Sequence, residues 1–342
     1  MGFRVGMTYD VKGEFLLKPG DPPDLNAEFD HEDTIAVIEQ ALASGGHEVV
    51  RIGSARTLLE RMGRVGVDIV FNIAEGYGGR NRESQVPILL EMMRIPFVGA
   101  DGLTLGLALD KVLTKKVLIA EGIPTPRHLE VSDPEKLWQV TLNYPLIVKL
   151  RCDGSSKGLS EKSLVNTPAE LRRQVSWLME TYKDATVFIE EFIEGREFTV
   201  AIIGNEQPEV YPVVQIALDG ETDLGRKFFT FAYLRAGADY ICPAPIAEPL
   251  ARRMQELALR TYQAVECRDF GRVDFRVDRH GNPYVLEINP LPSLSTEDVF
   301  NAVAKTRGMT HLQIINRILD AALVRYGLKP EASPLSTPTR LR

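Results

Sequence analysis

The chain has 342 residues, of which 44% are apolar and 25% are charged, and its formal net charge is −7. This length suffices for two or three globular domains, and the acidic balance argues against a nucleic-acid-binding protein, whose surface would be basic. The three cysteines are widely spaced and no long apolar run occurs, so we expect no disulfide, no zinc site, no membrane contact and a reducing, cytoplasmic setting.

The first hundred residues alternate between strand and helix patterns. Strands are predicted at residues 3–7, at EVVRIG and within VDIVFNIAEG, and helices at residues 30–44 and at VPILLEMMR. This alternation favours an open parallel sheet covered by helices, whose ligands lie beyond the carboxyl ends of the strands. The polar loop at residues 75–83 follows the most buried strand. We therefore expect it to line a site, unless it is only a solvated connection.

A strand and a Gly/Ser loop follow a predicted long helix over residues 104–121. The segment VKLRCDGSSKG places Lys149 near the end of an apolar strand, where an unpaired ammonium is costly. Either a bound phosphate or an ion pair with a nearby acid would explain that lysine. Backbone amides of a Gly/Ser loop can wrap a phosphate, which favours the first explanation.

Further elements are predicted along the second half of the chain. We expect a helix at SWLMETY, a strand over residues 208–216, a loop over residues 218–242, and helices over residues 247–264 and 313–326. The segment ATVFIEEFIEGREFTVAIIG predicts two strands around a Glu-Gly turn. Its acids, Glu190, Glu191 and Glu197, lie about this join. Backbone groups there could read an adenine edge and a carboxylate could accept from ribose hydroxyls, or the acids could simply face water.

The stretch GRVDFRVDRHGNPYVLEINP predicts a β-hairpin. Both halves alternate with period two, and a two-residue loop at residues 280–281 would place Asp274 opposite Glu287 and Arg272 opposite Asn289. Opposed side chains lie about 5 Å apart, so two carboxylates there repel each other unless a cation lies between them. Carboxylate and amide oxygens suit Mg²⁺. The alternative is a solvated outer face that carries acids by coincidence.

Three segments together resemble the ATP-grasp superfamily and, within it, the D-alanine–D-alanine ligase family. They are LALDKVLTKKVLIAEGIPTP, EGREFTVAI and GRVDFRVD…YVLEIN, and the resemblance extends over about residues 65 to 325. It implies an α/β protein with the ATP-grasp fold, in which an N-terminal open parallel α/β domain precedes two α+β lobes that sandwich ATP. The implied divisions are residues 1–99, a central lobe over 100–187, a C-terminal lobe with the metal site over 188–328, and a disordered tail over 329–342.

The resemblance also implies an activity and a set of site residues. ATP would phosphorylate a carboxylate, and an amine would attack the acyl phosphate to form an amide. Two Mg²⁺ ions, with Mn²⁺ as a substitute, would be held by Asp274, Glu287 and Asn289, and Arg272 would stabilise the tetrahedral intermediate. The residues implied to contact ATP are Lys111, Lys149, Ser155, Ser156, Glu190, Glu191, Ile193 and Glu197.

The substrate half departs from the family pattern. The first-substrate turn after strand one is absent, Ser293 stands where the family has a glycine, and the Lys-Tyr pair of the mobile loop reads Ala232-Tyr233. We nevertheless expect Ser293 and Tyr233 to be catalytic residues. Two alternatives are therefore expected for the substrate. One is D-alanine, which would place the enzyme in peptidoglycan synthesis, and the other is a different amino acid or small metabolite. A homodimer is kept open. Candidates for the substrate pocket are Glu28, Glu75, Arg80 and Arg82.

Two other classes of function compete with a ligase. A nucleotide-binding module without turnover would not need Asp274, Glu287 and Asn289. An NAD-dependent oxidoreductase would fit the N-terminal open sheet, but no G-x-G-x-x-G follows its first strand, and no P-loop motif occurs in the chain. The sequence therefore favours an ATP-dependent carboxylate–amine ligase over both.

Overall fold

A computed structural model of the chain describes residues 2–329 except 62, 132, 134–136, 138, 139 and 184. Its first sheet is parallel, with the strand order β2-β1-β3-β4, as the alternating pattern predicts. Short, fully buried strands form its centre, because helices cover both faces. Its strands and helices are β1 (Arg4–Thr8), α1 (Glu32–Ser44), β2 (Glu48–Gly53), α2 (Ala55–Glu60), β3 (Ile69–Asn72), α3 (Gln85–Met93) and β4 (Phe97–Val98).

The second sheet is antiparallel, with the order β5-β8-β6-β7, and α6 packs against it. Thr167 caps α6 by accepting from the Glu170 amide. The strand Val187–Glu191 pairs with β5 and β6 within this sheet. The elements are β5 (His128–Val131), β6 (Leu146–Leu150), β7 (Leu164–Val165), α6 (Pro168–Thr181) and β8 (Val187–Glu191).

The third sheet carries the predicted hairpin. Its order is β12-β11-β9-β13-β14, with β10 paired to β9, and α8 packs across one face. Apolar residues of β9 and β13 alternate toward α8, and the opposite face carries Glu197, Thr199, Arg272, Asp274 and Arg276. The elements are β9 (Gly195–Ile203), β10 (Glu209–Val210), β11 (Val214–Ala217), β12 (Asp239–Ile241), α8 (Glu248–Ala264), β13 (Phe270–Asp278) and β14 (Pro283–Asn289).

The prediction of a single helix over residues 104–121 is wrong. Two helices, α4 (Gly102–Leu109) and α5 (Lys111–Ala120), meet at Asp110, whose ψ of 93° is not helical. The Asp110 carboxylate accepts from the Leu113 amide at 3.1 Å and from Arg151 Nε at 2.7 Å. The break is therefore stabilised by an N-cap and an ion pair rather than by a proline or glycine.

Other predicted boundaries also needed correction. The stretch over residues 218–242, predicted as loop, contains α7 (Phe231–Ala236) and β12, and the strand predicted over residues 208–216 is two strands, β10 and β11. Helix α9 (Val299–Thr306) was not predicted, whereas the final helix is confirmed as α10 (His311–Arg325). The predicted tail lies outside the described residues from 330 onward, and Lys329 forms an ion pair with Asp320 at 2.7 Å.

The first and third sheets share a hydrophobic core with the last two helices. Buried residues of β1, α1, β9, α9 and α10 form one continuous apolar cluster. Asn316 of α10 donates to the Ala41 carbonyl at 2.6 Å, and Arg325 forms an ion pair with Asp269 at 2.6 Å. The C-terminal helices therefore hold the N-terminal sheet against the rest of the molecule. None of the helices in the described part of the chain combines the length and apolar content needed to cross a bilayer.

Candidate active site

The hairpin of β13 and β14 has the side-chain pairing that the sequence predicts. Asp274 lies directly opposite Glu287, and Arg272 lies opposite Asn289. On the other side of β13, Thr199 of β9 pairs with Asp274. Two carboxylates that share a face of a sheet this closely repel each other, so this face favours a bound cation.

The turn of this hairpin differs from the predicted two-residue loop. The Asp278 amide donates to the Asn282 carbonyl at 3.0 Å, which leaves three residues in the loop, and Gly281 takes a φ of 83°. The pairing of β13 with β14 shifts by one residue between Phe275 and Asp274, because Leu286 is an extra, unpaired residue in β14. This bulge restores the predicted register where the acidic residues lie.

Asp274 is surrounded by donors. Arg272 donates to its two oxygens at 3.0 and 3.1 Å, Thr199 Oγ1 donates at 2.6 Å, and Asn289 Nδ2 donates at 2.8 Å. Burial raises the pKa of Asp274 and the charge of Glu287 raises it further, while Arg272 opposes both effects. Asp274 is thus the member of the pair that gains most from an added cation.

Glu287 lies nearer to the lysines of the site. Lys111 Nζ is 3.4 Å from Glu287 Oε2 and also donates to the Asp153 carbonyl at 2.5 Å. Burial alone would raise the pKa of Glu287, but Lys111 and Lys149 together lower it. Glu287 therefore keeps its negative charge inside the site.

The donor set fits a hard divalent cation. Among the described residues, no three His, Cys, Asp or Glu side chains come together as a metal group, so the predicted site consists of two carboxylates and one amide. Asp274, Glu287 and Asn289 share one hairpin face. Rotation of the Asn289 amide by half a turn would present its oxygen in place of the nitrogen that now donates to Asp274. Three hard oxygens are the ligands that Mg²⁺ prefers.

Lys149 forms an ion pair with an acid, which is one of the two explanations that the sequence allowed for this lysine. Its Nζ lies 2.6 Å from Glu190 Oε1, and the side chains belong to the neighbouring strands β6 and β8. Burial alone would raise the pKa of Glu190, but Lys115 and Lys149 lower it to about 2. Burial alone would lower the pKa of Lys149, but Glu190 and Glu287 together raise it. Lys149 therefore stays charged at the edge of the cavity.

Lys115 was missed by sequence reasoning. Its Nζ lies 2.8 Å from Glu190 Oε2 and donates to Thr125 Oγ1 at 2.8 Å, and only 1% of Lys115 is exposed. Burial lowers the pKa of Lys115. The four-residue spacing from Lys111 within one helix places both lysines on the same face, and this spacing is the signal that could have identified it.

Glu197 also has a buried partner. Arg276 lies opposite it in the pairing of β9 with β13, and Arg276 Nη1 is 3.0 Å from Glu197 Oε2. The Arg276 guanidinium also stacks on Phe192, 4.6 Å from the ring centre. Burial raises the pKa of Glu197 in spite of Arg276. Arg276 alternates with Arg272 and Asp274 along β13, so its place on this face could have been predicted.

The Gly/Ser loop is held by acids from the N-terminal segment. Glu28 accepts from the Gly154 amide at 2.5 Å and from Lys157 Nζ at 2.7 Å. Asp24 accepts from the Gly158 amide at 2.8 Å. Lys157 is thereby occupied within the protein. Ser155 and Ser156, at the centre of the loop, take the left-handed conformation, with φ of 49° and 53°.

A cavity of about 250 Å³ brings most of the predicted site residues together. Its wall is formed by the second and third sheets, by the segments that follow β3 and β14, and by the loop that precedes α1. The predicted residues that line it are Glu28, Glu75, Lys111, Lys149, Ser155, Ser156, Glu190, Glu191, Ile193, Glu197, Arg272, Asp274, Glu287, Asn289 and Ser293. Asp30 and Glu83 also line it and were not among the predicted residues.

Three predicted residues do not line this cavity. Arg80 is exposed, and its Nη2 lies 2.9 Å from Asp110 Oδ2. Arg82 is buried and forms an ion pair with Glu28. Neither guanidinium is available as the fork for a substrate carboxylate that the sequence suggested. The Tyr233 hydroxyl donates to Asp219 at 2.6 Å. The sequence could not show these contacts, because each partner lies far away in the chain.

Comparison with known proteins identifies similar sequences. The family model described as "D-ala D-ala ligase C-terminus" matches residues 120–320. An uncharacterized protein of Sinorhizobium fredii is 38% identical over 302 residues, covering 84% of this chain and 86% of its own. A D-alanine–D-alanine ligase of Carboxydothermus hydrogenoformans is 33% identical over 294 residues, covering 82% and 90% respectively.

Solved structures share the fold. A D-alanine–D-alanine ligase from Bacillus anthracis, complexed with ATP, matches with a TM-score of 0.71 at 23% identity, covering 96% of this chain and all of that one. A D-Ala:D-Ser ligase from Enterococcus faecalis matches with a TM-score of 0.74 at 20% identity, covering 94% of this chain and all of its own. The fold of this chain is thus one that solved ligase structures share.

Proposed function

Since the chain belongs to the D-alanine–D-alanine ligase family of ATP-dependent C–N ligases, we propose that it joins the carboxylate of one amino acid to the amine of a second molecule. The observation that carries this proposal is the facing pair of Asp274 and Glu287, set beside Asn289 and Arg272 on the cavity wall. Carboxylate and amide oxygens suit a bound cation, and a cation together with a guanidinium would neutralise the oxygens of a phosphoryl group during its transfer.

Mg²⁺ is proposed as the metal, with two ions held by Asp274, Glu287 and Asn289 and with Mn²⁺ as a substitute. When bound, the metal neutralises charge on phosphate oxygens and so lowers the barrier to phosphoryl transfer. The support is the donor set itself, which offers hard oxygens and a buried carboxylate, Asp274, whose pKa is raised by burial and by the charge of Glu287.

ATP is proposed to bind between the second and third sheets. Lys111 and Lys149 line the cavity beside the acidic hairpin, so their ammonium groups are placed to contact phosphates. Glu190 accepts from Lys149 and thereby fixes its direction. The backbone that ends β8 would face adenine up to Ile193, and Glu197 would accept from ribose hydroxyls while Arg276 holds its carboxylate.

The proposed reaction has two balanced steps. First, a substrate carboxylate oxygen attacks the γ-phosphorus of ATP, and the bond from that phosphorus to the bridging oxygen breaks. ADP is the leaving group, and the substrate becomes an acyl phosphate. Second, the amine nitrogen of the other substrate attacks the acyl carbon, and phosphate leaves while the nitrogen loses a proton to form the amide. Arg272 would stabilise the oxyanion of the second step, because Asp274 and Asp298 hold its guanidinium on the cavity wall. Both steps depend on positioning more than on covalent help from the protein.

D-Alanine is proposed as one candidate substrate, because curated relatives carry the name of D-alanine–D-alanine ligase. The altered first-substrate segment supports a different amino acid or metabolite as the alternative. Ser293 lines the cavity and is retained as a candidate contact for the intermediate. Tyr233 is retained only as a loop residue, since its hydroxyl is bound to Asp219. The homodimer stays a prediction.

The test is phosphate release from ATP in the presence of Mg²⁺ and a panel of D- and L-amino acids, singly and in pairs, together with the mass of the product. We expect release that depends on an amino acid and a product whose mass equals the two substrates less one water. The matched control is Glu287→Gln, which keeps the shape of the side chain but removes its charge. Phosphate release that no amino acid increases would refute the proposed reaction.

A further inference from the structure

We propose that the amino acid whose carboxylate reacts carries a second cationic group, and that Asp30, Glu75 and Glu83 bind this group. The inference rests on the proposed ligase function and names the substrate class of the same cavity. It depends on how the charged side chains of the cavity wall are paired.

Each basic side chain of the cavity wall, within the described part of the chain, contacts an acid. The pairs are Lys111 with Glu287, Lys149 with Glu190, Arg272 with Asp274, and Arg276 with Glu197. Two further acids of the wall have basic partners that do not line the cavity. These pairs are Glu28 with Arg82 and Lys157, and Glu191 with Arg127.

Three acids of the wall are left without a partner. Among the described residues, no hydrogen bond or ion pair reaches the side chains of Asp30, Glu75 or Glu83, and all three line the cavity. Glu83 is only 8% exposed. A carboxylate removed from water without a donor is costly, so a buried and unpartnered carboxylate on a cavity wall favours a cationic ligand.

The three acids are neighbours. Burial raises the pKa of Glu75, and the charges of Glu83, Glu28 and Asp30 raise it further, with Arg82 opposing them. The pKa of Glu83 and that of Asp30 are both raised to about 7, mainly by burial. Burial thus disfavours the charged forms of these carboxyl groups, and a bound cation would stabilise those charged forms.

The excess of acids decides between one cationic group and two. An ordinary α-amino acid brings a single ammonium, and its carboxylate must lie near the phosphoryl donor, beside Lys111 and Arg272. One ammonium would still leave carboxylates of this cluster unpaired. A second ammonium or guanidinium on the side chain would pair with them, which favours an amino acid with a basic side chain over a neutral one such as alanine.

The experiment compares ornithine with norvaline, which has the same carbon chain but lacks the terminal ammonium. Both are tested as D- and L-isomers with the full-length enzyme, ATP and Mg²⁺. Binding is measured by calorimetry and turnover by phosphate release. We expect ornithine of the preferred configuration to bind at least about tenfold more tightly than norvaline and to give the higher kcat/KM, since a desolvated charge pair is gained.

Two variants and a matched control test the residues. Glu83→Gln should reduce the preference for ornithine over norvaline by about tenfold while ATP affinity stays unchanged. Glu75→Gln should act in the same direction and provides a second variant if the first folds poorly. The control is Glu91→Gln, an exposed acid on α3 outside the cavity.

The outcomes separate this inference from the proposed function. Wild-type enzyme that prefers norvaline or alanine to ornithine would refute the inference while leaving the ligase function intact. Equal losses for ornithine and norvaline in Glu83→Gln would refute it as well. Preferential ornithine binding that Glu83→Gln abolishes, without phosphate release from any amino acid, would support the inference and count against the ligase reaction.

Discussion

Replacing Glu190 by glutamine should destabilise the fold, because Glu190 lies between two lysines in a buried position. Its oxygens are 2.6 Å from Lys149 Nζ and 2.8 Å from Lys115 Nζ. The pKa of Glu190 falls from 4.5 to about 2 on folding. At about 1.36 kcal/mol for each pKa unit, this corresponds to about 3 kcal/mol of stability. Because the pKa of Glu190 is lower in the folded protein than in the unfolded chain, this stabilisation is present above pH 4.5 and is lost as the pH falls toward 2.

Urea unfolding at neutral pH measures this loss. We expect the free energy of unfolding of Glu190→Gln to fall by about 3 kcal/mol, in the range found when one partner of a buried pair is removed. Lys115→Met in the same chain should recover part of the loss, because it removes the more deeply buried of the two unpaired ammonium groups. A loss below about 1 kcal/mol, or no recovery in the double variant, would show that the three charges do not act as one unit.

Three further predictions concern the metal, the nucleotide and pH. Glu287→Gln should abolish ADP formation with an unchanged thermal midpoint, since metal-bound charge is worth several kcal/mol in the transition state; wild-type activity in the folded variant would contradict the metal assignment. Lys149→Ala should abolish ATP binding by calorimetry and Glu197→Ala should raise the KM for ATP, whereas unchanged ATP affinity in Lys149→Ala would place the phosphates elsewhere. Burial raises the pKa of Glu83 from 4.5 to about 7, so its cost is complete above pH 7 and disappears toward pH 4.5. Glu83→Gln should therefore be more thermostable than wild type at pH 8 and equal to it near pH 5, and a difference that does not depend on pH would contradict this cause.

The hairpin shows how much local patterning can predict. The period-two alternation of GRVDFRVD and YVLEIN, with a predicted two-residue loop between them, paired Asp274 with Glu287 and Arg272 with Asn289, as in the structure. The same pattern could not reveal the three-residue turn and the bulge at Leu286, because the shift between strands depends on backbone geometry and not on which residues are apolar. The predicted register was correct at the acids because the two differences cancel.

Contacts between distant segments were beyond sequence reasoning. Asp110 interrupts a helical pattern that has no proline or glycine at the break, and its partner Arg151 lies 41 residues further along the chain. The pairing of Arg82 with Glu28 joins two loops of the first domain that no periodicity relates. Residue type alone suggested that Arg82 binds a ligand, whereas its position shows that it neutralises an acid. Buried charges of this kind are decided by tertiary neighbours.

The shared core of β1, α1, β9, α9 and α10 has a consequence for the order in which the chain can fold during its synthesis. The N-terminal sheet emerges from the ribosome first, but the helices that cover its inner face are made last, and Asn316 then bonds to Ala41. Until α9 and α10 appear, the apolar cluster that includes Ile35 and Ile38 of α1 lacks the members that these two helices contribute. Such distant contacts slow folding and expose partly folded chains to aggregation. A nascent chain that ends before residue 311 should therefore depend on chaperones, and the first sheet expressed alone should not be a stable protein.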